Sequence, residues 1–255
     1  MRVNNLAALM FYCVLSGSAY ALDENDQCGP DAYAAVNQSM KITRLSPDNV
    51  VSAACRTWPY KTNLLLAVFA YDEGIESEKK LLVAVIDQKA KRVVSSFQDA
   101  YYEDALTEVG EYSLKLDTAR YQLAENVRAF GIRFNSAARG ASCGEARWGN
   151  ELTLFVPEGK NLRPVASLNL YQQQWHRGCP AAASPALWEN ATLTVGMAKS
   201  STNGFQDLEI TAKIEVNSIE SPTGSLKNRI ERHTLRYDGK YYKKERNLVP
   251  WWLAI

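Results

Sequence analysis

The sequence predicts an all-β fold, a propeller-like set of repeated antiparallel sheets behind one short N-terminal helix, with an extended β-sandwich as the alternative. Three observations point there. From Val50 onwards, short apolar runs rich in β-branched residues alternate with clusters of turn formers. Hairpin-like turns combining an acid with lysine recur at Asp87-Gln88-Lys89, Glu158-Gly159-Lys160 and Asp238-Gly239-Lys240. The closing stretch, Thr192 to Glu245, reads as strand, glycine-containing loop, strand, long loop and tight hairpin. The turn spacings, 158 − 87 = 71 and 238 − 158 = 80, are loose. Five blades over 255 − 21 = 234 residues would average about 47 each, near the usual 40–50.

Residues 1–21 read as a secretory signal peptide: Arg2, an apolar stretch from Leu6 to Leu15, then Ala19-Tyr20-Ala21 as a small-x-small cleavage site. The apolar stretch falls short of the roughly 20 residues that span a bilayer, so no stable membrane insertion is expected. Residues 22–255 then form a single all-β domain. Pro30 to Leu45 holds the helix, with Tyr33, Val36 and Met40 on one face. Leu64 to Tyr71 and Lys80 to Ile86 are nearly continuous apolar runs, which suits strands buried on both faces. Arg92 to Phe97, Tyr112 to Leu116, Val127 to Phe134, Leu152 to Val156 and Leu162 to Leu170 are further strands. Asp117 to Tyr121 is read as a connection, and Ser136 to Asn150 as a Gly/Ala/Ser/Arg-rich loop. Asp238-Gly239 favours a two-residue turn that sets Tyr237 opposite Lys240 and Arg236 over Tyr241 as a cation–π pair.

Without Arg2 the chain carries 28 basic and 28 acidic residues, which leaves no long-range field to attract nucleic acid. Past Cys13, four cysteines remain: Cys28, Cys55, Cys143 and Cys179. An even count in an exported chain reads as two disulfides among three possible pairings; Cys28–Cys55 and Cys143–Cys179 are favoured because they close the shorter loops. There is no C-x-x-C and only two histidines, so no metal and no cofactor is expected.

The residues Leu116-Asp117-Thr118-Ala119, Arg128-Ala129-Phe130-Gly131, Gly204-x-x-Asp207-Leu208 and Leu235-Arg236-Tyr237-Asp238-Gly239-x-x-Tyr242 resemble a family of uncharacterised exported proteobacterial proteins. The last two phrases are also similar to units of FG-GAP-like β-propeller repeats. The first resemblance implies a bacterial periplasmic address; neither implies an activity. The spaced aspartates of a calcium-binding FG-GAP repeat are missing.

The His-Glu-x-x-His zinc motif and the P-loop are absent, and only His176 and His233 are available as imidazole bases. Asp99 to Glu111 gathers five acids, raw material for a carboxylate hydrolase or simply a solvated polar excursion. Asp117 and Asp207 read as turn-holding carboxylates. Trp175, Trp188, Trp251 and Trp252 with Tyr171, Tyr241 and Tyr242 are either core aromatics or a sugar- or peptide-binding surface. Trp251 and Trp252, near the chain end, are the candidate binding residues. The leading expectation is a non-catalytic periplasmic binding or protein-interaction domain for an unknown envelope protein or glycan. A carboxylate-based envelope hydrolase is one alternative. An inhibitor or immunity-type protein presenting the Ser136–Asn150 loop is another.

Overall fold

In the computed structural model, residues 27–140, 146–179, 185–244 and 248–254 are described. One helix, α1 (Pro30–Ser39), precedes eleven strands: β1 (Val50–Thr57), β2 (Leu64–Tyr71), β3 (Glu78–Asp87), β4 (Arg92–Tyr102), β5 (Leu114–Ala124), β6 (Val127–Phe134), β7 (Ala146–Glu158), β8 (Asn161–Arg177), β9 (Ala186–Thr202), β10 (Phe205–Ile219) and β11 (Arg229–Leu235). The expected signal segment, residues 1–21, lies outside the described residues.

Pro30 starts α1, where its missing N–H costs nothing. The helix stops at Ser39, short of the expected Leu45. The Asn37 side chain accepts from the Leu45 N–H at 2.8 Å and donates to its carbonyl at 2.9 Å, folding the chain back on the helix.

All strands join one open sheet, and the mostly-β expectation holds. The propeller does not. Sequential strands pair antiparallel in two meanders, β1 to β4 and β5 to β11, and β7 to β10 run 13 to 17 residues each. A propeller needs separate small sheets around an axis; here each hairpin hands its second strand to the next pairing. The recurring acid–lysine turns are therefore successive hairpin connections rather than equivalent points on blades. The two meanders meet through a single parallel bridge, Ser96 beside Asn161.

Three cores follow from strand periodicity. β2 and β3 are buried on both faces, as their unbroken apolar runs require. Phe69, Tyr71, Leu82, Ala84 and Ile86 pack under Ala32, Ala35 and Val36 of α1. The other face, with Leu66, Val68, Val83 and Val85, packs against Leu114, Leu116, Phe130, Ile132 and Phe155 of the second meander. The third core lies where the second meander curls over itself, with Tyr121 and Leu123 of β5 against Leu168, Leu193, Leu208 and Ile210.

Curling also brings β5 beside β1, where no ladder forms. Instead, buried Ser52 donates to the Glu111 carbonyl at 2.9 Å and accepts from the Leu114 N–H at 3.1 Å.

Three details differ from expectation. β5 runs through Asp117–Tyr121 as a bulge, because Asp117 itself accepts from the Ala119 N–H at 3.0 Å. β7 begins at Ala146, inside the expected loop. The last hairpin has a turn two residues longer than expected: Tyr237 pairs with Tyr242, not Lys240. The Asp238 carboxylate accepts from the N–H groups of Lys240 (2.8 Å) and Tyr241 (2.7 Å), so the turn centres on Gly239-Lys240 and Arg236 is out of register with Tyr241. A two-residue turn with positive φ at both positions, Asn203-Gly204 (49° and 87°), joins β9 and β10.

Cys28 and Cys55 form a disulfide that ties the helix lead to β1 across 27 residues. Cys179 is disulfide-bonded, while Cys143, its expected partner, lies outside the described residues. On loop entropy, replacing Cys28 and Cys55 by serine is expected to cost about 3–4 kcal/mol, read as a lowered denaturation midpoint with unchanged far-UV dichroism.

Candidate functional site

A cleft of about 430 Å³ opens where β6 hands over to β7, within the range usual for small-ligand sites. One wall is the segment from Asn135 to Gly140, another is Leu106 in the β4–β5 connection, and the β7–β8 ladder at Arg147–Asn150 and Tyr171 completes it. Local hydrogen bonds fix these walls. Asn135 N–H donates to the Ser113 carbonyl and Ala137 N–H to that of Glu108, both at 2.8 Å. Ser136 Oγ accepts from Glu108 N–H at 3.0 Å. Gly110 must stay glycine for the two loops to touch, since a Cβ there would sit 2.8 Å from the Ala137 methyl. Asp104 accepts from Leu106 N–H (2.8 Å) and Thr107 N–H (2.7 Å), holding Leu106 at the rim.

Trp148 is 45% exposed and Leu106 51%, so each offers apolar surface at the rim. The Tyr171 hydroxyl donates to Asn190 Oδ1 at 3.2 Å, and Gln173 Nε2 donates to the same oxygen at 2.8 Å. Burial raises the pKa of Tyr171, with the neighbouring Arg147 charge opposing the shift. Gln172, opposite Trp148 in the register, is buried with neither amide atom partnered by protein.

The aromatics singled out from sequence do not form one surface. Trp175 and Trp188 pair with ring centroids 5.1 Å apart. Trp252 is buried in the third core and donates Nε1–H to Glu231 Oε2 at 2.7 Å; Trp251 packs half-buried beside it. Tyr242 is buried too, its hydroxyl donating to the Gln206 carbonyl. Only Tyr171 reaches the cleft. Trp148 and Arg147, by contrast, carried no motif; their one sequence signal is a tryptophan at the end of a small-residue stretch.

The carboxylates are structurally engaged. In Asp99–Glu111 no helix forms: Asp99 lies in β4, Asp104 holds a turn, and Glu103 accepts from Val109 N–H at 2.8 Å while pairing with Lys79 at 3.3 Å. Buried Asp117 pairs with Arg133 at 2.6 Å and accepts from the Tyr121 hydroxyl at 3.1 Å. Buried Asp207 accepts from Ser200 Oγ at 2.7 Å; its other oxygen has no protein partner. Glu189, also buried, faces His176 Nε2 at 3.0 Å and bonds the Arg229 guanidinium, which reaches on to Glu231. With the Arg229 guanidinium between them, the two acids are ion-paired to one cation and do not face each other as a free carboxylate pair of the kind acid–base hydrolysis uses. Burial lowers the pKa of His233. Among the described residues no cluster of three potential metal ligands occurs.

Compared with family models, characterised proteins and solved structures, the chain matches none. Among the described residues, no helix is long and apolar enough to cross a membrane.

Arg229→Met removes the guanidinium from buried Glu189 and leaves it His176 as its remaining side-chain partner, so a loss of up to about 3–5 kcal/mol is expected in urea unfolding. Burial raises the pKa of Glu231, but bonds from Trp252 and Arg229 outweigh it and leave the value below normal. The resulting stability is present above the unfolded carboxyl pKa, near 4.5, and is lost as pH falls through the lower folded value. Glu231→Gln is therefore expected to flatten the acid limb of the stability–pH curve.

Proposed function

We propose that the protein is an exported, non-catalytic binding protein of the bacterial periplasm that holds a small ligand in the cleft at Arg147–Asn150. The observation that carries this reading is the cleft itself: fixed walls, a half-exposed tryptophan at the rim and a tyrosine–amide floor. Aromatic surface offers stacking for the apolar face of a ligand, while amide, hydroxyl and guanidinium groups orient it. The disulfide Cys28–Cys55 fits an oxidising compartment such as the periplasm. The engagement of Asp117, Asp207 and Glu189 by other side chains supports a binding role over the carboxylate-hydrolase alternative.

Titrating the mature chain with saccharide and peptide fractions of the bacterial envelope, followed by the tryptophan indole resonances, tests this reading. Binding is expected to move the Trp148 signal, and Trp148→Ala to weaken affinity at least tenfold while Trp251→Ala leaves it unchanged. The reverse pattern would transfer the site to the C-terminal tryptophans. Turnover abolished by replacing any single Asp or Glu would sink the non-catalytic role.

A further inference from the structure

We infer that the ligand of this cleft is an acidic sugar whose carboxylate is held by Arg147. The inference rests on the binding role proposed above and adds the chemistry of what is bound. Of the described residues lining the cleft, Arg147 alone carries a charge. It is solvent-exposed, and no described carboxylate forms an ion pair with it; its near neighbour is the Tyr171 phenol. A guanidinium offers five N–H donors in a planar fork that matches a carboxylate.

The floor is set for hydroxyls. The Asn190 carbonyl already accepts from Tyr171 and Gln173, which occupies both of its lone-pair directions. The Tyr171 hydroxyl has thereby spent its one hydrogen, so toward a ligand its oxygen accepts, as from a sugar hydroxyl, and the carboxylate is left to Arg147. Asn135, Ser136 and Asn150 add short polar side chains suited to hydroxyls. Leu106, Trp148 and Tyr171 give the cleft apolar lining, Tyr171 on the same face of the β7–β8 ladder as Arg147, where it can meet the C–H face of a pyranose ring. The volume, about 430 Å³, lies at the lower end of the roughly 300–1,000 Å³ typical of ligand sites, which suits a small ligand better than a long peptide.

The test compares glucuronic acid with glucose, its neutral counterpart, by calorimetry and by the amide and indole resonances of the mature chain. Glucuronic acid is expected to bind at least tenfold more tightly than glucose and to lose that advantage in Arg147→Gln, with Arg147→Lys keeping part of it. Raised salt should erode the preference. Glu145→Gln, removing the acid two positions earlier in sequence, is expected to leave the preference intact or increase it. Equal affinity for the two sugars, unchanged in Arg147→Gln but with shifts at Trp148 and Tyr171, would overturn the acidic class and leave the cleft reading standing. A response to acetylated dipeptides with free C-termini but to neither sugar would replace the sugar by a peptide carboxylate. Shifts elsewhere only, or none with any probe, would overturn both the acidic sugar and the cleft.

Discussion

β2 and β3 have no solvent face, and the arrangement of everything around them follows from that. A strand pair with side chains such as Phe69 and Leu82 on one side and Val68 and Val83 on the other must be covered twice. Burying each large side chain contributes about 1.5–3 kcal/mol, so leaving either side wet would be prohibitive in a marginally stable chain. The helix covers one side, tethered by Cys28–Cys55, and the second meander covers the other. To do so the second meander must curl, and curling brings Tyr121 and Leu123 of β5 over β9 and β10.

The cleft is a by-product of the same curl. Where β6 ends, its continuation crosses toward the β4–β5 connection, held there by Ser136 and by the glycine contact at Gly110. Its polar floor lies on the β8–β9 ladder, whose other face is part of the third core. The Glu189–Arg229–Glu231–Trp252 chain belongs to that core side and anchors the C-terminal segment. Site and anchor therefore share a scaffold strand, β9, while facing different surroundings.

Strand identity was largely legible in the sequence because period-two burial and two-sided apolar runs leave direct marks: Leu64–Tyr71 and Val127–Phe134 appear with the expected limits. What local pattern does not encode is which strands neighbour one another beyond the hairpin. Repeated acid–lysine turns are equally compatible with blades, sandwiches and one long meander, so the propeller expectation had no local signal to correct it. Side-chain competition explains the smaller departures. Asp117 and Asp238 each capture backbone N–H groups, converting a supposed loop into a bulge and lengthening a hairpin turn by two residues. The aromatic surface was misplaced for a related reason: a tryptophan's sequence neighbours do not reveal whether it is swallowed by the core, like Trp252, or left at a rim, like Trp148.

The bond set at Ser52 also has a kinetic side. Nearly all pairings in this sheet join consecutive strands, so they form by short-loop closures with little entropy to overcome. Ser52 instead joins residues 59 and 62 positions away, and it does so without a strand ladder to propagate from. Polymer entropy places that seam among the last contacts to form. Until it closes, the apolar interior faces of both meanders stay open to water, and the span between hairpin formation and seam closure is when the nascent chain is most prone to aggregate.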